Sequence, residues 1–137
     1  MDIRNPEGYM DPTPYLALSQ SHARKWYKVV YICSPYAGDV EANTEKTRRY
    51  CRYAVDAGCM PIAPHLLSPQ FMDDSDPSER AVALKFGIVL LSRCAELWWF
   101  GDVVSHGMRS EIKFARRRGI PVIHIDENDT LRRLTIR

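Results

Sequence analysis

A serine, a glycine and a glutamate stand at fixed intervals in Ser105-His106-Gly107-Met108-Arg109-Ser110-Glu111, a segment that leads into a helix-forming stretch. The first amides of a helix have no partner within it and attract anions. Gly107 lets a ligand come close to the backbone, and Ser105 adds a hydroxyl donor, so the segment reads as a seat for a phosphate. Glu111 is expected in the first turns of the same helix, where the dipole favours its ionised form. An ionised carboxylate beside a bound sugar phosphate is what nucleophilic attack on an anomeric carbon requires. The plainer reading is a surface carboxylate favoured by the dipole alone.

Two further loops carry reactive groups. Ser34, Tyr36 and Gly38 follow an apolar strand and suit a phosphate or a ribose. The loop lacks the dinucleotide pattern G-x-G-x-x-G and the P-loop pattern, which weakens the NAD-binding and ATP-hydrolysing readings. Tyr31, inside the strand, reads by itself as a core tyrosine. The stretch from Pro64 to Asp76 holds His65, Asp73, Asp74 and Asp76. A divalent cation on these groups is conceivable, but Asp76 is better explained as a helix cap and the others as solvated loop, so no metal is expected. His65 and His106 are acid or base candidates by type alone. Trp98-Trp99 reads as core rather than as a stacking platform. Cys33, Cys51, Cys59 and Cys94 form no Cys-x-x-Cys pair, so zinc is not expected, and free thiols in a reducing compartment are.

These loops need a scaffold, and 137 residues supply one domain. A composition 45% apolar and 26% charged excludes a disordered chain and a disulfide-stapled miniprotein. A net charge of +2 is too mild for a nucleic-acid binder. Apolar runs such as Ile88–Leu91 fall far short of the ~20 residues that span a bilayer. The start of the chain has no apolar signal core, so a cytoplasmic location without membrane association is expected. Residues 1–27 read as an N-terminal arm, with Thr13-Pro14 able to start a short helix whose Tyr15, Leu16 and Leu18, with Trp26, face a core or a partner subunit.

Residues 28–137 read as one domain. Strands are expected at Lys28–Cys33, Cys59–Ala63, Ala95–Phe100 and Pro121–Asp126, with Pro61 marking a strand start or an edge position. Helices are expected from Asp39 or Asn43 to Gly58, from Asp76 to about Arg93, and from Met108 to Arg118, with a short final helix in Asn128–Arg137. Gly101–Gly107 is expected as a loop. The stretch Ala81–Leu91 is apolar all round, which predicts a buried helix that also serves a subunit interface. Alternating strands and helices predict a parallel sheet with helices on both faces. In such sheets ligands bind at the carboxyl ends of the strands, where Ser34–Gly38, Pro64–Asp76 and Gly101–Gly107 lie.

Val30-Tyr31-Ile32-Cys33-Ser34-Pro35-Tyr36, Pro61-Ile62-Ala63-Pro64-His65 and Ser105-x-Gly107-x-x-x-Glu111, followed by Ala115 and Gly119, together resemble the nucleoside 2-deoxyribosyltransferase superfamily. The likeness runs from about Lys28 to Asp126 and is to small bacterial and phage members, in the nucleotide N-hydrolase-like branch. It implies a flavodoxin-like doubly wound parallel sheet of four or five strands with helices on both faces. It also implies cleavage of the N-glycosidic bond of a (deoxy)nucleoside 5′-monophosphate or nucleoside. Glu111 would form the covalent glycosyl intermediate and Tyr31 would orient it. Ser34, Tyr36, Gly38, Ser105 and Gly107 would hold the substrate and its 5′-phosphate. No cofactor is implied, and a homodimer or higher oligomer would complete the sites. The sequence departs from the family at Ser110, where many members carry an aromatic residue. The group that meets or protonates the leaving base is unassigned among His65, Asp74 and Asp102. Whether water or a second base takes the sugar is open. The competing readings are a non-catalytic nucleotide-binding or sensing module, an oligomeric scaffold and a flavin carrier.

Overall fold

The computed structural model describes residues 26–126 and Asn128. The helix expected at Thr13-Pro14 and the one expected in the C-terminal tail lie outside the described residues, apart from Asn128. Trp26 is 89% exposed.

β1 (Lys28–Cys33) lies inside a four-stranded parallel sheet, with β2 (Cys59–Ile62) on one side and β3 (Glu96–Phe100), then β4 (Val122–Ile125), on the other. The chain steps outward from β1 to β2 and then crosses back to β3. The strand order therefore reverses beside β1, and the carboxyl ends of β1 and β3 flank the crevice where such sheets bind ligands. Pro61 sits on the edge strand β2, in register with Val30, where a missing N–H is tolerated.

α1 (Val40–Asp56) packs on one face of the sheet, and α2 (Pro77–Ser92) and α3 (His106–Arg117) lie on the other. The alternation along β1 separates two cores. Val30 and Ile32 point to the α1 side, with Tyr50, Tyr53, Trp98 and Phe100. Tyr31 and Cys33 point to the opposite side, with Leu91, Leu97, Met108, Ile112 and Ala115. Phe100 stacks on Tyr50 at 4.2 Å between ring centroids and meets Tyr53 edge-on at 6.0 Å.

The helix starts follow from their caps. Asp39 accepts from the Ala42 amide and Asp76 from the Ser78 amide, with Pro77 at the first helical position. Asn43, the other candidate cap for α1, instead donates to the carbonyls of Tyr36 at 3.2 Å and Ala37 at 3.0 Å, pinning the loop after β1. α3 begins at His106, two residues before the expected Met108, because the Ser105 hydroxyl caps it by accepting from the Met108 amide at 3.3 Å. Gly107 therefore lies in the first turn and not in the preceding loop. Between Pro64 and Gln70 the expected loop winds into two short 3₁₀ turns.

The burial expected for Ala81–Leu91 is not met among the described residues. Only Gly87 and Leu91 of α2 are buried, while Leu84 is 65% exposed and Val82, Phe86 and Val89 are also open. The helix touches the sheet side and α3, and nothing described covers its outer side. Among the described residues no helix is long and apolar enough to cross a membrane.

Candidate functional site

Glu111 occupies the second turn of α3, on the side that faces β1. The Tyr31 hydroxyl donates to its carboxylate, and the Cys33 thiol lies 4.0 Å from Oε1 and 3.8 Å from the Met108 carbonyl. Tyr31 and Cys33 reach the same carboxylate because they are two apart on one strand, and so on one face. Burial, with the Glu111 charge beside them, pushes both the phenol and the thiol far up, so each stays protonated as a donor.

The expectation that the helix dipole keeps Glu111 ionised is reversed. Burial pushes its carboxyl up to about 7, and the Tyr31 hydrogen bond pulls only partly back. The dipole fades beyond the first turn, and Glu111 lies in the second, among apolar neighbours. It keeps some solvent contact, so it is neither a surface carboxylate nor sealed in the core. Near neutral pH it can change charge, as an acid–base group does, and its ionised fraction is the form that could act as a nucleophile.

The rim comes from the other loops. Tyr36 stacks on His65 at 4.9 Å between centroids, and His65 Nε2 lies 2.9 Å from the Ser34 carbonyl. A carbonyl only accepts, so Nε2 carries the proton and Nδ1 keeps a lone pair. Burial lowers the His65 pKa, against the Ser34 carbonyl and the nearby Asp74 carboxylate, which raise it. His65 is thus a neutral, oriented ring. Asp74 also raises the Tyr36 phenol, after burial, so Tyr36, His65 and Asp74 form one cluster. Pro64, next to His65, comes close to the place where the Tyr31 hydroxyl stands beside Gly87, which joins this cluster to the Glu111 side.

Ser34 does not offer the hydroxyl expected of it. Thr47 Oγ1 donates to the Asn43 carbonyl at 2.8 Å, so the Ser34 hydroxyl spends its proton on Thr47, at 2.9 Å. Its side chain is buried on the α1 side, opposite Glu111, because Ser34 follows Cys33 in the strand alternation. Gly38, at φ +94°, turns the loop in a conformation that favours glycine. Ser105 and Gly107 stand at the start of α3, with open space where a Gly107 side chain would be. Asp102 is exposed on the loop after β3, and His106 is exposed at the first position of α3. Nothing described joins either to the Glu111 group.

A cavity of about 720 Å³ opens on the other flank of α3, between Trp99 and the cations Arg109, Lys113 and Arg116. Glu111 does not line it; the Glu111 group lies on the β1 side of α3. Cys33, Thr47 and Asn43 do not announce themselves as site neighbours by residue type. The signal for Cys33 was available, since it sits two residues from Tyr31. Thr47 and Asn43 lie four apart on α1, a spacing that also marks ordinary helix surface.

The family described as Domain of unknown function (DUF7768) matches residues 28–125. No curated protein matches the sequence. Among solved structures, the chain is similar to a 2-deoxyribosyltransferase from the psychrotolerant bacterium Bacillus psychrosaccharolyticus, with a TM-score of 0.60, 15% identity and 72% of each chain covered. It is also similar to a conserved protein from Enterococcus faecalis, with a TM-score of 0.53 and 19% identity over 72% of this chain and 63% of that one. At such identities the likeness speaks to the fold, the flavodoxin-like parallel sheet with helices on both faces.

Proposed function

The chain belongs to the DUF7768 family, a name that assigns no reaction, and we propose that it cleaves the N-glycosidic bond of a nucleoside or (deoxy)nucleoside 5′-monophosphate. The observation that carries this reading is the placement of the Glu111 carboxyl, partly open to solvent, beside Cys33 at the carboxyl end of β1 and held by the Tyr31 hydroxyl. The fold shared with a 2-deoxyribosyltransferase supports it. One oxygen of the ionised Glu111 forms a bond to C1′ as the C1′–N bond breaks, and the bonding pair leaves with the base, which takes up a proton. Water, or a second base, then attacks C1′, and the ester pair returns to Glu111. The Tyr31 hydroxyl fixes the attacking group. The start of α3, with Ser105 and Gly107, receives the phosphate together with the backbone from Ser34 to Gly38. The Tyr36–His65 stack, with Asp74 beside it, meets the base, and Asp102 is a second candidate for that contact.

The test is incubation with a panel of ribo- and deoxynucleosides and their monophosphates, with free base read by chromatography. Base release that Glu111→Gln removes is the expected result. Thermal stabilisation by a nucleotide without any free base would leave a binding module instead.

A pH dependence follows. Attack requires the ionised carboxylate, so kcat/KM should rise with pH, about tenfold per unit below the Glu111 midpoint, and level off above it. The free chain places that midpoint near 7. A profile flat between about pH 5 and 9 would remove Glu111 from the nucleophile's role.

The open side of α2 supports a second copy of this chain as partner. Leu84, Phe86 and Val89 leave an apolar face exposed on one helix, and such faces mark association surfaces. Sedimentation should show a homodimer or larger oligomer that Leu84→Glu converts to monomer. A wild-type chain that sediments as a monomer at assay concentration would overturn this.

A further inference from the structure

Gly87 stands in the middle of α2 and is one of the two buried residues of that helix. Glycine there weakens a helix relative to alanine, so something should explain its presence. A Cβ at this position would meet the Tyr31 hydroxyl oxygen at 3.3 Å and Pro64 Cγ at 3.9 Å. The Pro64 contact is ordinary. The first would force the hydroxyl to give by a few tenths of an ångström. That hydroxyl has little room to give, because Tyr31 is 2% exposed on an inner strand and is already hydrogen-bonded to Glu111.

We propose that Gly87 is a positioning residue: the side chain it lacks opens the slot in which the Tyr31 hydroxyl stands, and that slot holds the hydroxyl against the Glu111 carboxylate. This role rests on the glycosidase reading above, in which Glu111 attacks C1′. α2 therefore shapes the site without touching the substrate, and the small residue belongs to the chemistry rather than to helix packing.

The test compares wild type, Gly87→Ala, Tyr31→Phe and the double variant, all as the full chain. Carbon-13 NMR of the Glu111 carboxyl reads its titration midpoint. Gly87→Ala should raise the midpoint by about half a pH unit or more, because it loses the hydrogen bond that favours the charged form. Tyr31→Phe should raise it by a similar amount. In the Tyr31→Phe background Gly87→Ala should add nothing, since the oxygen that the new methyl would strike is gone. Melting should show the reciprocal pattern. Gly87→Ala raises the melting temperature in the Tyr31→Phe background, as helix propensity dictates, and raises it less, or lowers it, in the wild-type background.

A midpoint unmoved by Gly87→Ala, or moved equally in both backgrounds, overturns the proposal and leaves Gly87 as a packing residue. Should Gly87→Ala fail to fold alone but fold with Tyr31→Phe, the clash with the hydroxyl is established directly. Failure in both backgrounds overturns it, because the methyl then strikes something else. The titration needs no substrate. A coupled titration without base release would thus retire the glycosidase and keep the Gly87 slot. Where base is released, Gly87→Ala should lower kcat about tenfold and leave KM near its wild-type value.

Discussion

Glu111→Gln should lose base release by about 10³-fold or more and, at the same time, melt at a higher temperature than the wild type above neutral pH. The first effect follows from removing the atom that attacks C1′, since an amide is neither charged nor an adequate nucleophile there. The second follows from linkage. The Glu111 carboxyl is raised from 4.5 in the unfolded chain to about 7 in the fold. A group raised on folding contributes its full stability below the lower value and loses it as pH climbs through the higher one. At pH 8 the folded chain therefore carries a charge it disfavours, by up to about 3 kcal/mol. Glutamine keeps the shape and an acceptor for Tyr31 but cannot ionise. For a chain of this size the gain corresponds to a rise on the order of 10 °C, and it should vanish near pH 4. Melting curves at both pH values check it. Equal melting temperatures for the two proteins at pH 8 would mean that the carboxyl is better solvated than the fold indicates.

Phe100→Ala should destabilise the fold by about 3–5 kcal/mol. Phe100 is 1% exposed, at the carboxyl end of β3, with Tyr50 stacked on it and Tyr53 edge-on. Truncation removes the ring, both aromatic contacts and the close packing of α1 against the sheet. Urea unfolding should show a lower midpoint with an unchanged slope. A loss below about 1.5 kcal/mol would show that α1 does not bear on β3 in this way.

Much of this architecture can be read from local chemistry. The unbroken apolar run Val29–Cys33, the Asp76-Pro77 helix start and Gly119 after the three arginines each place an element within a few residues. So does Ser105, although its capping bond starts α3 earlier than the apolar periodicity predicts. Where tertiary environment competes with local preference, the sequence misleads. The dipole argument for Glu111 considers one helix and omits the strand packed against it, and that strand supplies the desolvation. Ser34 looks like a phosphate donor by type, and only the alternation along β1, taken together with Thr47 on α1, turns its hydroxyl the other way. The apolar α2 predicts burial, but nothing among the described residues covers its outer side. Gly87 is visible as a glycine inside an apolar helix, where it weakens the helix relative to alanine, yet the atom that stands beside it is named only by the fold.

The sheet divides two unlike materials. Among the described residues, the buried cluster on one side is mostly rings, with Tyr50, Tyr53, Trp98 and Phe100, whereas on the other the ring of Tyr31 stands among the sulfur and aliphatic groups of Cys33, Leu91, Cys94, Leu97, Met108, Ile112 and Ala115. Rings resist reshaping, and thioethers and short chains accommodate it. The protein thus has an anvil and a cushion, with Glu111 set on the cushion. Divergence among relatives can remould the bed beneath the carboxylate one small substitution at a time, while the anvil keeps the strands in place.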